Sequence, residues 1–273
     1  MADKESEKKN IFGPVKYKAQ EIYGHRNFIK AQVKRNLFGR YKNSYLGFAW
    51  NFITPMIYII LSYIIFTEIR ANSTENYIVF LSSGIFAFTV LTSGITGGGN
   101  LFTGNSGMIK KMYFPREILA IINALSSGIV MCIGYVIVYI LAIALGQGIS
   151  LISIPVVIFV LICTLIFSMG CSLLLGSLSV YVRDVQYILG SFSIVFFVCT
   201  PIRTIASEAT GILADIYWIN PLTYFVEPLH QAIYYCQVPD LWILEVMTVL
   251  TIVVFLLGYA VFMKLKHGFV ERL

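Results

Sequence analysis

Between Glu117 and Arg183 lie 65 consecutive residues without one Asp, Glu, Lys or Arg. No soluble domain carries such a run, because part of it would have to face water. A helix that crosses the roughly 30 Å hydrocarbon layer of a bilayer takes about 20 apolar residues. The run therefore holds two crossings, and Gly146-Gln147-Gly148 supplies the break between them. The same template finds further uncharged runs before and after it. The expected spans are 46–67, 77–102, 118–145, 151–180, 185–202 and 241–263, the fifth short and the sixth with Glu245 near its outer end. This is an all-α polytopic membrane protein with six transmembrane helices. Composition agrees: 58% of residues are hydrophobic and 12% charged, against about a quarter charged in soluble domains.

Lysine and arginine orient the spans, because cytoplasmic loops collect them. Eleven lie in residues 1–42, three after span two (Lys110, Lys111, Arg116), one after span four (Arg183) and three in the tail (Lys264, Lys266, Arg272). That side holds 18 and the other only Arg70 and Arg203. Both termini are expected in the cytoplasm, with 1–42 a cytoplasmic N-terminal region and 43–273 the transmembrane domain. The basic residues flank spans, where they meet anionic headgroups, so nucleic acid is not an expected partner. The polar opening MADKESEKKN has no apolar core of a cleavable signal. The five cysteines form no C-x-x-C pair and have no metal spacing with histidine.

Residues 203–240 would lie outside, yet are rich in Ile, Leu, Tyr and Trp. Thirty-eight residues are too few for two crossings and a turn, and Asn220-Pro221 interrupts any helix. Two short helical pieces, about 204–217 and 222–236, dipping into the outer leaflet and returning, solve this. They line an exit or lie as an amphipathic flap on the surface; physics weights the two evenly.

The span centres hold no ionisable group of the kind that marks proton or ion relays. Membrane enzymes cluster Asp, Glu or His at a leaflet boundary, and no such cluster is present. His25, His230 and His267 have no metal spacing, and neither a metal nor a cofactor is expected in this chain. Gly94 with Gly98, and Ser168, Ser172 and Gly176, recur at four-residue spacing and allow close helix approach. Phe52, Ile59, Tyr63 and Phe66 share one face of span one, and Phe192 and Phe196 one face of span five. Such stripes are ordinarily packing or an interfacial belt; the functional reading is a stacking surface for sugar rings. Trp50, Asn51 and Pro55 open span one, where Pro55 removes a backbone bond.

Residues 20–42 read as an amphipathic helix with Ile22, Ile29, Val33 and Leu37 on one side, suited to the membrane interface plane; a plain basic topology anchor is compatible. The loop GNSGMIKKMYFPRE (104–117) mixes Met108, Ile109, Met112, Tyr113 and Phe114 with three basic residues. A solvated connection would not expose so many large apolar groups, so a short helix offered to a partner protein is expected. The chain has no G-x-x-x-x-G-K-[ST], so it does not bind a nucleotide phosphate by that route, and energy, if needed, comes from elsewhere.

Four stretches carry a family resemblance: Arg40–Trp50 with Pro55; Ile109-Lys110-Lys111-Met112-Tyr113-Phe114-Pro115-Arg116-Glu117; Arg183-Asp184-Val185-Gln186; and Trp218-Ile219-Asn220-Pro221 with Glu227. Their order and sequence resemble the membrane subunit of ABC-2 type exporters, in the branch that exports O-antigen, capsule and teichoic-acid polymers. The resemblance implies a homodimer in the cytoplasmic (inner) membrane, bound to two copies of a separate ATPase that holds ATP and Mg. It implies that Met108, Ile109, Lys110, Lys111, Tyr113, Phe114, Pro115, Arg116 and Glu117 couple to that ATPase. It makes the substrate a polyprenyl-pyrophosphate-linked glycan in a conduit that would include Trp50, Phe52, Tyr58, Tyr63, Phe66, Phe192 and Phe196. Arg203, Trp218, Asn220, Pro221 and Glu227 would form an outer gate on the re-entrant pair. One departure is Thr200-Pro201-Ile202-Arg203, where the family often has S-P-I and a second proline; Arg203 is expected to meet anionic substrate or headgroups. The alternatives are an ABC-2 exporter of a drug or lipid, and a membrane enzyme or scaffold of envelope assembly.

Overall fold

The computed structural model describes residues 13–39, 44–69, 76–148, 150–151, 153–206 and 209–273. The Arg40–Asn43 part of the first family stretch, and Arg70, lie outside the described residues. Among those described, every regular element is helical. In chain order they are α1 (Gly13–Gly24), α2 (Arg26–Lys34), α3 (Trp50–Ile69), α4 (Tyr77–Thr92), α5 (Ser106–Lys111), α6 (Glu117–Ala144), α7 (Ser153–Tyr181), α8 (Asp184–Cys199), α9 (Ile212–Ile219), α10 (Thr223–Leu229), α11 (Leu241–Leu265) and α12 (Phe269–Arg272). Five of these helices, α3, α4, α6, α7 and α11, are long and apolar enough to cross a membrane, and the protein is a multi-pass membrane protein. The run expected as span five forms a helix of 16 residues, about 24 Å at 1.5 Å per residue.

α4 and α7 form the centre. α4 is buried on nearly every side from Val79 to Leu91, and α7 buries 15 of its residues against α4, α6 and α11. The two small-residue motifs turn out to be partners. A side chain at Gly94 would overlap Ser168, and one at Gly98 would lie 2.6 Å from the Ser172 backbone. With the backbones this close, Ser168 Oγ donates to Val90 O at 3.3 Å and Ser172 Oγ to Gly94 O at 3.2 Å. In an apolar medium, small residues and interhelical hydrogen bonds replace the hydrophobic drive of a soluble core. Just past α4 the helix widens into a π-turn, Ser93–Gly97, where glycine weakens the α-helical preference.

Two hydrophobic cores cap this pair at opposite ends. One gathers Tyr77, Phe80 and Phe86 with Phe167 and Phe225. The other gathers Val33, Leu37, Phe102, Ile109, Phe114, Phe262 and Phe269. The apolar stripe of α2 therefore packs on the protein's own second core. That end also carries α1, the loop 104–117 and α12, so the first and last described helices lie together.

Candidate functional site

A groove runs along α4. Its back wall is Thr89, Thr92 and Thr96, one strip of α4 and its π-turn. Toward the second core it opens into a cavity of about 760 Å³ that adds Arg35, Asn36, Ser93, Asn123 and Ser127. Toward the other end it continues as a cavity of about 620 Å³ between α3 and α8, bounded by Trp50, Tyr58, Phe88 and Phe197. Asn51 borders both cavities.

The chemistry of the threonine strip follows from helix geometry. Thr89, Thr92 and Thr96 each donate their hydroxyl hydrogen to the carbonyl four residues back, at 2.8 Å. Their donors are thus used inside the helix, the common arrangement for Ser and Thr in apolar helices. What faces the groove is oxygen lone pairs, an acceptor surface for hydroxyl donors. The wall is polar without an unsatisfied donor, so it presents many weak contacts and no single strong one.

Of the aromatic residues expected in a conduit, Trp50 and Tyr58 line the groove. Phe52 packs edge-on to Phe48 at 5.5 Å. Tyr63 and Phe66 turn to Tyr77 at 6.4 and 6.3 Å. Phe192 and Phe196 pair with each other at 6.2 Å, and the α8 face on the groove is Ser193, Ile194 and Phe197. Arg203 sits at the far end, its guanidinium 5.0 Å from the Phe197 ring and 5.5 Å from that of Phe66, while its carbonyl accepts from Tyr77 Oη at 2.5 Å. A cation over two aromatic faces is held there electrostatically.

The loop 104–117 divides into an outward and an inward set. Lys110, Lys111, Met112 and Tyr113 are exposed, Tyr113 at 99%. Ile109, Phe114 and Glu117 are buried, and Met108, Pro115 and Arg116 are intermediate. Phe114 packs on Phe28 of α2 at 5.4 Å, and Gln32 of α2 lies 4.0 Å from Met108 Sδ. Glu117 forms an ion pair with Lys18 of α1 at 2.5 Å. Partial burial acts to lower the Lys18 pKa, but the hydrogen bond and charge of Glu117 outweigh it and raise the pKa above the ordinary lysine value. Arg116 donates to Lys266 O and lies over the Phe269 ring.

In the segment 203–240, α9 is largely exposed, whereas α10 buries six of its seven residues against α4, α7 and α11. Asn220 makes the turn between them: its Nδ2 donates to Cys199 O and Thr200 Oγ1, both at 2.9 Å, and its Oδ1 accepts from Leu222 N. Pro221 follows, exposed. Trp218 packs with Tyr224 and Trp242. Glu227 Oε2 lies 3.7 Å from His230 Nδ1, both side chains buried, with the imidazole stacked on Phe80 at 3.9 Å. Glu208 lies outside the described residues.

Compared with known proteins, the chain matches the ABC-2 type transporter family over residues 27–234. The chain belongs to the ABC-2 type transporter family. It is 22% identical over 93% of its length to the O-antigen export system permease protein RfbA of Myxococcus xanthus, covering 98% of that protein. Two proteins of the same name from Klebsiella pneumoniae are 26% and 27% identical, each over 88% of this chain and 93% of their own.

In this ABC-2 subunit the sequence reading passed over the threonine strip, although Thr89, Thr92 and Thr96 stand at helical spacing inside an apolar run. It also missed Phe197, one position beyond the pair it singled out, and Lys18, which no local pattern connects with Glu117.

Proposed function

We propose that this chain is the permease subunit of an ATP-driven exporter that moves a lipid-linked polysaccharide across the cytoplasmic (inner) membrane. It works as a homodimer with two copies of a separate ATPase, which binds ATP and Mg. The subunit has six spans, α8 with its flanking residues making the fifth, and both termini lie in the cytoplasm. α9 and α10 form the re-entrant pair of the outer side, and α2 lies at the cytoplasmic interface.

The observation that carries this reading is the groove along α4. A glycan offers hydroxyl hydrogens along its edges and C–H faces on its rings. The threonine strip accepts the first, and Trp50, Tyr58 and Phe197 suit the second. Conduction needs contacts strong enough to admit the cargo and weak enough to release it, and a self-satisfied hydroxyl wall meets both conditions. An apolar drug or lipid would gain nothing from those hydroxyls. A cation stands near each end, Arg35 and Arg203, suited to the pyrophosphate that links glycan to lipid. The curated relatives, named as O-antigen export permeases, point the same way.

The exposed loop residues Lys110, Lys111, Met112 and Tyr113 would meet the ATPase. α2 and the π-turn that continues it, Arg35–Gly39, connect that face to the groove, because Phe28 and Gln32 touch the loop while Arg35 and Asn36 line the cavity. Movement of the loop would then shift the groove's cytoplasmic mouth. Deleting the gene is expected to remove the polymer from the cell surface and to accumulate its lipid-linked form inside. Normal surface polymer in the deletion strain would overturn the proposal.

A further inference from the structure

We infer that the C-terminal helical turn α12 is a second wall of the ATPase docking cleft, so that the partner inserts an apolar side chain flanked by acidic groups between Val270 and the loop 109–116. This rests on the docking reading above and adds to it a surface from the other end of the chain.

A helical turn of four residues holds only where tertiary contacts fix it. Here Phe269 is fully buried, its ring 4.8 Å from Phe102 and 6.0 Å from Phe262. Tyr181 Oη donates to Leu265 O at 3.0 Å, and Arg272 lies over the Tyr181 ring at 4.5 Å. The decisive contact comes from the loop itself: Arg116 donates to Lys266 O and covers Phe269. Loop and tail are therefore one body on this end of the molecule.

Anchoring the tail this way leaves Val270 turned out. It is 48% exposed and lines a cleft of about 240 Å³ together with Lys110, Lys111, Met112, Tyr113 and Arg116. The cleft has an apolar floor and a basic rim, with room for an inserted side chain. Water gains nothing from Met112, Tyr113 and Val270 standing side by side. Three cations around them select a partner segment carrying carboxylates, and the continuity with Tyr113 assigns that segment to the ATPase.

The test titrates purified ATPase onto the full-length permease in detergent and compares Tyr113→Asp with Val270→Asp and Val270→Ala. Tyr113→Asp tests the docking reading and is expected to weaken binding by more than about tenfold. Val270→Asp is expected to raise Kd about tenfold, or about 1.4 kcal/mol. Val270→Ala, which removes contact without adding charge and serves as the folding-neutral variant, is expected to raise it about threefold. If Tyr113→Asp weakens binding and both Val270 variants bind as the wild type, α12 is not part of the interface and the inference falls while the docking reading stands. If Tyr113→Asp also binds normally, both fall.

Discussion

The two helices at the centre and the two beside the groove answer to different demands. α4 buries 13 of its 16 residues inside the chain, and α3, among the residues described, only Pro55, Ile59 and Ser62; α7 buries 15 residues and α8 none. All four are apolar, so hydropathy does not separate them. Side-chain size does: α7 meets the continuation of α4 through Gly94, Gly98, Ser168 and Ser172, which let backbones touch. By contrast, α3 and α8 present Ile57, Ile60, Leu61, Ile188, Val195 and Val198 outward. The first pair is finished within one chain. The second leaves broad apolar faces that lipid or a second copy must cover, and the groove opens beside them. The first pair is a closed frame and the second an open one.

The strongest way to break this contrast is to enlarge the frame. Gly94→Leu forces a side chain into the Ser168 backbone, and overpacking of this kind costs about 1–3 kcal/mol or more. The expected outcome is little extractable protein in the membrane, read by quantitative blot. Wild-type abundance would mean that α4 and α7 are free to move apart. Next is the knot of α1, the loop 104–117 and α12. Lys18→Met leaves Glu117 buried without its partner, at a cost of about 1–2 kcal/mol given the partial exposure of the lysine, read as a lower melting temperature. The raised Lys18 pKa sets the pH dependence. A cation stabilised by folding contributes fully below its ordinary value of 10.5 and loses that contribution as pH rises through the folded-state value. The melting difference between wild type and Lys18→Met should hold steady from about pH 7 to 9 and shrink above about pH 10.5. The smallest effect is expected on the outer face: Val198→Ala should change stability by less than about 0.5 kcal/mol. A larger loss for the assembled protein would sharpen the contrast, by showing that a second copy packs there.

What could be read from sequence tracks how many physical solutions a stretch allows. A run of 65 uncharged residues around a glycine pair admits two membrane helices and little else, and α6 and α7 fall within two residues of the expected bounds. The break at Asn220-Pro221 is equally local, and the helices meet there. Facing is a different matter. Every side of an apolar helix looks alike in sequence, so the pattern singles out 192/196 where Ser193 and Phe197 line the groove. In the loop, Ile109 and Phe114 read as surface groups beside Tyr113, and only the packing of Phe28 and Phe269 shows that they are anchors. The threonine strip stayed hidden because its donors are spent within the helix, which makes the run read as apolar.

The groove along α4 is the centre of the account, and Thr92 lies on its wall where both cavities meet. Thr92→Trp fills that space from the α4 wall, and the informative measurement is surface polymer set against lipid-linked polymer inside the same cells. The account predicts surface polymer at roughly a tenth of wild type or less, with the inner pool enlarged and with permease abundance and ATPase association within about twofold of normal. Export at the wild-type rate by a correctly assembled Thr92→Trp protein would contradict it.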